Sequence, residues 1–554
     1  MKKLFILICF WQIPYLISAQ DIGSLKAQKP VSISGGLHLG FNTYSNLEGR
    51  QRLDPFSWTI SASPVLSVYG IQMPFFFLIN QQSQSYAGPF QQFGMSPNYK
   101  WARLHLGYRN LNYSNYTLAG RLFFGAGIDL NPGKLRFSAM YGRFQQANRR
   151  DTTQKGFGAL PTAFRRMGYA VKLGYGSAQN FIDVIYTKGW DEANSIQVPI
   201  NEILTPSENT TLGIVTQTTF FKRLTWSNDI GVSGYNSDAN AKELTGDLSI
   251  KSDFLRSLFK LRRSSQVGYA AFSSLRFNSR YISLQVQYRL ISTDYKSMGA
   301  YFFNNDVQEI VLNPSLSLFN GKVNLNGSYG IQKDNVSKTK ATQTERNIGS
   351  LNLSIQPSQN FGLMVTYSNY GTFQNNPDRI IDTLKIQQVN QSLVFAPRYS
   401  WGDRVVSHAL NLMTSYQNST DYNTVSKQLL EFNNLFVSLN YSRNNSKQKF
   451  NVSPGVLFIK NFLSYGNSSS LGANLNISKN FKRFSNSLTA NYNQNYYQDE
   501  ANGYTLNARW NGRIKVTNKQ QLSLGTSLLY NKDLKFDTRN FTEIYTQAGY
   551  SLNF

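Results

Sequence analysis

Hydrophobic and polar side chains alternate along most of this chain with a period of two residues. In segment 282–290, for example, Ile282, Leu284 and Val286 alternate with Gln285 and Gln287. A strand with one apolar face and one polar face gives this pattern. The alternation returns in many other segments, among them 103–109, 323–331, 351–355, 471–478 and 522–530. Counting the segments predicts an all-β protein with about 24 to 26 antiparallel strands.

Tight turns and longer polar segments separate the predicted strands. The clearest tight turns are Asn131-Pro132-Gly133, Phe319-Asn320-Gly321 and Gln356-Pro357-Ser358, and Asn-Gly is a strong hairpin signal. The longer polar segments cover residues 147–165, 236–265, 337–346 and 374–385. Pro64 and Pro74 fall in or beside early strands, where a bulge or a strand end must accommodate them.

The last strand carries the most specific signal in the chain. Residues 547–554 read polar-x-Gly-x-x-apolar-x-apolar, with Gln547, Gly549, Leu552 and the terminal Phe554 at the defining positions. This resembles the C-terminal signal by which the barrel-assembly machinery recognises outer-membrane proteins of Gram-negative bacteria. The resemblance implies a single large transmembrane β-barrel in the outer membrane, with its terminal aromatic at the membrane interface. The tight turns would then face the periplasm and the longer segments the cell exterior.

The N-terminus predicts export. Lys2 and Lys3 precede an apolar run that ends before the small residues Ser18 and Ala19, as in a cleaved signal peptide. We therefore divide the chain into a signal peptide (1–19), a short periplasmic segment (20–30) and the barrel (31–554). So short a segment predicts no separate plug domain and no periplasmic repeats. The Ala19–Gln20 junction and the Tyr/Asn/Ser-rich composition resemble exported proteins of Bacteroidota.

Composition agrees with a barrel. Only 16% of the 554 residues are charged, whereas about 25% is usual, and 33 Tyr and 38 Phe are present. The only cysteine, Cys9, lies in the signal peptide, so thiol chemistry is not expected. The net charge is +26, or two less without Lys2 and Lys3. Because the basic residues are dispersed in an exported chain, we expect outer-membrane lipids, lipopolysaccharide phosphates or an anionic cargo as counterparts, and no nucleic acid.

Basic residues on the polar faces of predicted strands should point into the lumen. They are Arg103, Arg109, Arg136, Lys172 and Arg289. Lumen arginines favour anions in pores, and they also form ion pairs that stiffen a barrel wall. Both interpretations stay open.

Two other basic groups lie outside the alternating segments. One surrounds the predicted loop 147–165 and consists of Arg149, Arg150, Arg165 and Arg166. It could bridge lipopolysaccharide phosphates, meet an acidic partner or remain solvated. The other lies in segment 253–263, which breaks the period of two and could form a short amphipathic helix with Arg256, Lys260 and Arg263 on its basic side. Such a helix would constrict the lumen or contact lipid headgroups; a strand running into a basic turn is the alternative.

The sequence predicts no enzyme, no cofactor and no metal site. The three histidines, His38, His105 and His408, belong to no recognisable catalytic motif, and no Cys/His cluster suggests zinc. Two function classes remain. One is a transport channel or pore, plugged by its own loops or by a partner. The other is a scaffold subunit of an outer-membrane complex that binds a partner lipoprotein or surface protein.

Overall fold

The structure is a computed structural model that describes residues 30–48, 51–69, 71–81, 92–149, 161–199, 202–244, 259–300, 304–340, 342–375, 386–423 and 426–554. The predicted signal peptide, Arg150 and Arg256 lie outside these residues. The predicted N-terminal segment lies outside them too, except for Pro30.

Twenty-six antiparallel strands form one closed sheet, at the upper end of the predicted count. In chain order they are β1 (Val31–Ser34 and Gly36–Asn46), β2 (Phe56–Ala62 and Val65–Val68), β3 (Ile71–Asn80), β4 (Gln92–Met95 and Asn98–Tyr99), β5 (Ala102–Asn110), β6 (Leu122–Leu130), β7 (Leu135–Gln145), β8 (Arg165–Gly176), β9 (Phe181–Glu192), β10 (Glu208–Phe220), β11 (Leu224–Asn236), β12 (Ser265–Asn278), β13 (Ile282–Ile291), β14 (Val307–Leu318), β15 (Val323–Asp334), β16 (Gln343–Ile355), β17 (Phe361–Asn375), β18 (Gln387–Gly402), β19 (Val406–Asp421), β20 (Phe432–Asn445), β21 (Phe450–Leu463), β22 (Ser468–Asn480), β23 (Phe484–Tyr497), β24 (Glu500–Lys515), β25 (Gln520–Asp533) and β26 (Phe541–Asn553). Short helical turns occupy Ala193–Ser195, Phe319–Gly321, Lys427–Leu430 and Asp537–Arg539. None of the described helices is long and apolar enough to cross a bilayer, and no separate plug domain is evident in the described chain.

The sheet closes between its first and last strands. Pairing of β1 with β26 runs without a break from Gly36 opposite Asn553 to Asn46 opposite Glu543. Beyond it, the main chains of Gly35 and Phe554 exchange two hydrogen bonds of 3.0 Å. Closure leaves no sheet edge in lipid. The strand that carries the predicted assembly signal therefore also seals the barrel.

Prolines account for the breaks in β2 and β4, and a glycine accounts for the break in β1. Pro64 separates the two parts of β2, and Pro97 separates the two parts of β4, because proline has no N–H to offer a ladder. Pro74 lies within β3 and pairs with Val65 beside the Pro64 break. β1 breaks at Gly35, which has a φ of 145° and lies so close to β2 that a Cβ would be 2.5 Å from the carbonyl oxygen of Ser63.

Turns and loops segregate to opposite ends of the barrel. The three predicted tight turns join β6 to β7, β14 to β15 and β16 to β17, at the end that also holds the start of β1 and the C-terminus. We call this the turn end. The described residues of the four longer segments all lie at the other end, the loop end. Outer-membrane barrels have short periplasmic turns and longer external loops, so we assign the turn end to the periplasm.

The outward face of the wall is apolar. Leu173, Phe395 and Leu471 are 56%, 43% and 54% exposed, which suits contact with lipid rather than water. Aromatic rings gather toward both ends of this face, as at membrane interfaces. Near the turn end, Trp401 stacks on His408 with ring centroids 5.3 Å apart, so His408 faces outward.

Candidate functional site

Two connecting segments fold back against the inner wall at the loop end. The first inward segment comprises residues 111–121, between β5 and β6, and the second comprises residues 292–300, between β13 and β14. Leu118 of the first and Tyr295 of the second are 0% exposed. Burial raises the pKa of Tyr116 in the first segment to about 12, so its hydroxyl stays protonated. Both segments belong to the buried core of the protein.

The two inward segments bind each other, although eight strands separate them. The Tyr295 hydroxyl donates to the Tyr116 carbonyl oxygen at 2.7 Å, and the Ser297 hydroxyl donates to the Thr117 carbonyl oxygen at 2.8 Å. The Ala119 amide donates to the Gly299 carbonyl oxygen at 3.1 Å. Main-chain groups take part in every one of these bonds, so the segments act as one body.

Glycines on the inner face make room for this body. A Cβ on Gly231 would lie 2.6 Å from the Tyr295 hydroxyl, and one on Gly268 would lie 2.5 Å from the Tyr295 Cα. A Cβ on Gly213 would lie 2.5 Å from Thr117 Cγ2. These positions face the same side of neighbouring strands β10, β11 and β12. We call the surface they form the glycine seat.

Buried polar residues of the wall anchor the segments beside the glycine seat. The Asp229 carboxylate accepts hydrogen bonds from the Ser114 hydroxyl at 2.6 Å and from the Asn115 amide at 2.8 Å. Asn209 accepts from the Met298 amide at 2.9 Å and donates to the Lys296 carbonyl oxygen at 3.1 Å. Hydrogen bonds to a charged group contribute about 1.5–3 kcal/mol each, and those between neutral groups, as at Asn209, about 0.5–1.5 kcal/mol. The anchors therefore fix both segments against the wall.

A cavity of about 580 Å³ lies between the inward segments and strands β12–β14. Its polar lining comes from Asn112, Asn115, Gln287, Arg289 and Glu309. Arg289 forms an ion pair with Glu309 on the neighbouring strand. The cavity thus carries one positive and one negative side chain that already neutralise each other.

Two more of the predicted lumen cations are also engaged by the inner wall or an inward segment. Arg136 binds Asp183 through two hydrogen bonds of 2.7 and 2.9 Å, and the Asp183 side chain is only 3% exposed. The Lys172 ammonium lies 5.0 Å from the ring centroid of Tyr113 in the first inward segment. Both contacts are structural, since the first joins β7 to β9 across β8 and the second holds the first inward segment against β8.

The last two predicted lumen cations lie on β5. Arg109 places its guanidinium 4.6 Å from the ring centroid of Phe76. Arg103 stands opposite Asp129 in the pairing of β5 with β6. Asp129 also accepts from His105 at 2.9 Å, and the other ring nitrogen of His105 contacts the Ser96 hydroxyl at 3.0 Å. His105 is thus a buried structural residue of the inner wall.

The predicted cationic cluster of loop 147–165 is divided by ion pairs. Arg165 and Arg166 begin β8 and pair with the end of β9, Arg165 with Glu192 at 2.5 Å and Arg166 with Asp191 at 2.8 Å. Arg149 is exposed on the loop side. Arg165 and Arg166 are therefore each paired with a carboxylate of β9.

The described part of segment 253–263 is not helical. Residues 259–263 form a bend and a turn, with a bridge between Arg262 and Glu243, and Lys260 pairs with Glu243 at 3.2 Å.

Phe259 packs where a Cβ on Gly234 would point, on the same face of β11 as the lipid-facing Ile230. For these residues the helix and the lumen constriction are wrong. Residues 259–263 lie at the outer rim of the loop end, where Arg262 pairs with Glu208 of the wall and Glu243 of the loop. Arg263 belongs to the turn that leads into β12.

The described residues contain no group of three or more Asp, Glu, His or Cys placed to bind a metal ion. His38 Nδ1 lies 3.0 Å from the Ser551 hydroxyl across the seam between β1 and β26. This is a nucleophile and base pair in outline. In the structure this hydrogen bond joins the first and last strands of the barrel.

The inner wall of β19–β23 is of a different kind, and we call it the neutral wall. Apart from Asp421 at the loop end, its inward positions contain no Asp, Glu, Lys or Arg. Asparagine and serine dominate, as at Asn411, Asn440, Asn461, Asn474, Asn476 and Asn491. Neighbouring side chains bond each other, for example Asn461 to Ser468 at 3.0 Å. The contacts described above for the two inward segments fall on β6–β14 and not on this wall.

Sequence reasoning missed the inward segments and the acidic partners. The first segment carried a signal, because Leu111, Tyr113, Tyr116 and Leu118 place four large side chains between two strands. An exposed loop seldom concentrates such residues. Asp129, Asp183 and Asp229 also fall on inward positions of alternating strands, where each was available to a basic neighbour or a returning loop.

A closed sheet with a lipid-facing apolar surface defines an integral β-barrel protein of the outer membrane. No protein-family model matches the sequence, and no curated protein matches it. Among solved structures, the chain is similar in fold to the copper transporter OprC (9% identity, TM-score 0.40, covering 95% of this chain and 81% of that one). It is also similar to the translocation pore of the P pilus usher PapC (10%, 0.36, 94% and 99%) and to OccAB2 of Acinetobacter baumannii (10%, 0.32, 63% and 92%). These scores are too low to carry a functional argument.

Proposed function

We propose that the protein is an outer-membrane transport channel whose lumen is narrowed on one side by its own inward segments. The observation that carries the proposal is the asymmetry of the lumen. The inward segments cover the wall around β6–β14, while the neutral wall on the other side has none of their contacts.

Barrel size supports the proposal. Strands about 4.8 Å apart and tilted by about 40° would give a circular barrel of 26 strands a diameter of about 50 Å. Residues 111–121 and 292–300 form a thin layer against such a wall. They are sufficient to narrow the lumen and fall short of filling it.

Conductance tests the proposal. We expect the purified full-length protein to give steady, ohmic single-channel currents in planar bilayers. A closed barrel that conducts only after a bound partner has been removed would contradict it.

A scaffold subunit is the second candidate. The part of the lumen that the two inward segments leave uncovered favours it, because a partner lipoprotein or surface protein could occupy that space. Purification in mild detergent separates the candidates. A channel remains active when it is isolated alone, whereas a scaffold is isolated with a stoichiometric partner and is silent.

A further inference from the structure

The middle of the neutral wall and its edge carry apolar side chains that face the lumen. We call them the lumen apolar strip: Val394, Met413, Phe436, Leu457 and Ile459. Phe436 stands directly opposite Ile459 in the pairing of β20 with β21. Met413 is 42% exposed, although it points to the same side as the inward asparagines. An inner wall that served only to hold water would have no need of such a strip.

Amide side chains flank the lumen apolar strip. Asn411 stands opposite Asn440, and Asn474 stands opposite Asn491. Each amide offers two donors and an acceptor with two lone pairs. The wall therefore presents hydrogen-bonding groups of both kinds beside an apolar surface that contains one aromatic ring.

This combination of amide and apolar side chains without fixed charge favours neutral solutes over ions. Fixed charges are what attract ions to a pore wall, and the neutral wall has none between its ends. Charged residues on the inner face begin again on the flanking strands, with Arg398 on β18 and Arg509 on β24. Across the lumen, Arg136 and Arg289 are already paired with carboxylates.

We infer that the neutral wall is a path for neutral saccharides; the inference rests on the proposed channel function. A saccharide has hydroxyl groups that donate and accept hydrogen bonds, and its ring faces carry C–H groups. The hydroxyls match the asparagines, and the C–H faces match Phe436 and its apolar neighbours.

Channel block by two oligosaccharides of similar size tests the inference. Maltohexaose is neutral, and hexagalacturonate carries a carboxylate on every sugar. We expect maltohexaose to interrupt the current of the full-length channel in a concentration-dependent manner, and hexagalacturonate to block less well. Phe436→Ala should weaken the maltohexaose block by about tenfold. Phe458→Ala is the matched control, because it removes an aromatic ring from the outward face of the adjoining strand.

A second measurement does not depend on a variant that folds. In a tenfold KCl gradient the wild type should show only a modest anion preference, because the inward arginines Arg398 and Arg509 flank the neutral wall, which itself carries no charge between its ends. A channel that conducts but is blocked more tightly by hexagalacturonate, or that strongly prefers anions, overturns the saccharide assignment and leaves the channel in place. A protein that never conducts overturns both.

Discussion

The two sides of this lumen arise from the same alternating pattern and are used differently. Around β6–β14 the inward positions hold glycines, carboxylates and basic residues. The glycines receive the inward segments, while Arg136, Arg166 and Arg289 pair with carboxylates. Along β19–β23 the inward positions hold asparagine, serine and a few apolar residues, and no described segment covers them. We call the side around β6–β14 the packed side and the neutral wall the open side. The comparison shows that charged side chains on an inner wall need not act on a solute, because here they mainly stabilise the packed side.

The largest effect is expected from filling the glycine seat. In Gly268→Val the new Cβ would lie 2.5 Å from the Cα and amide nitrogen of Tyr295. Since both atoms belong to the main chain, the second inward segment has to leave the wall. Single-channel conductance should rise measurably, because the layer that narrows the lumen on this side has left the wall.

Gly362→Val is the control for this variant. Gly362 faces the lumen in β17, where a Cβ would meet nothing within 4 Å, so conductance should not change. If Gly268→Val conducts like the wild type, the inward segments do not restrict the lumen.

Breaking the buried Arg136–Asp183 ion pair of the packed side should lower the free energy of unfolding more than the other substitutions. Asp183→Asn leaves Arg136 without its carboxylate partner, and removal of one member of a buried pair typically costs about 3–5 kcal/mol. Urea unfolding in detergent micelles should show a clearly lowered midpoint, whereas the reversal potential should change little.

An exposed pair of the loop end provides the comparison. Lys535 and Glu500 are 3.3 Å apart and well exposed, so Lys535→Gln should cost at most about 1 kcal/mol. If Asp183→Asn shifts ion selectivity more than stability, the packed side is part of the ion path and our distinction between the two sides is wrong.

Sequence reasoning identified the barrel because alternation is a local property. The alternating residues of each strand indicate its two faces without reference to any other strand. The C-terminal strand, which ends on Phe554, indicates the class of outer-membrane barrels. The inward segments could not be placed in the same way, because 111–121 and 292–300 meet only once the sheet has curved through eight strands. The alternation predicts Arg136 and Lys172 on the inner face for the same local reason, whereas their contacts with Asp183 and Tyr113 depend on register and on the returning loop.

A smaller effect is expected from the anchor of the first inward segment. Asp229→Asn keeps one acceptor oxygen and puts an NH₂ group where the other was, so the bond to the Ser114 hydroxyl or to the Asn115 amide is lost. At about 1.5–3 kcal/mol for such a bond, amide hydrogen exchange in residues 114–118 should become faster by at least tenfold.

The open side supplies a matched control for this anchor. Asp421 of β19 accepts from the Asn423 amide at 2.9 Å and from the Ser426 hydroxyl at 2.5 Å. Asp421→Asn removes the same kind of carboxylate and should leave exchange in residues 114–118 unchanged. Equal exchange in both variants would show that Asp229 does not anchor the segment.

The smallest effect is expected from protonation of Asp306, which lies at the boundary between the packed side and the rest of the barrel. Asp306, just before β14, accepts from the Val336 amide at 2.8 Å and from the Thr293 hydroxyl at 3.1 Å, and pairs with Lys340 at 2.5 Å. Burial alone would raise the pKa of Asp306, but the contacts with Lys340, Val336 and Thr293 outweigh it and lower the pKa below its ordinary value.

A lowered pKa in the folded state fixes the sign of the pH dependence. The contribution of Asp306 is complete above the ordinary carboxyl pKa and disappears as the pH falls through the lowered value. Exchange of the Val336 amide, corrected for its intrinsic pH dependence, should therefore be flat from neutral pH to about pH 5 and rise only below about pH 4. Asp306→Asn should show the faster exchange at neutral pH. A rise already between neutral pH and pH 5 would mean that another group ties the second inward segment to the β15–β16 loop.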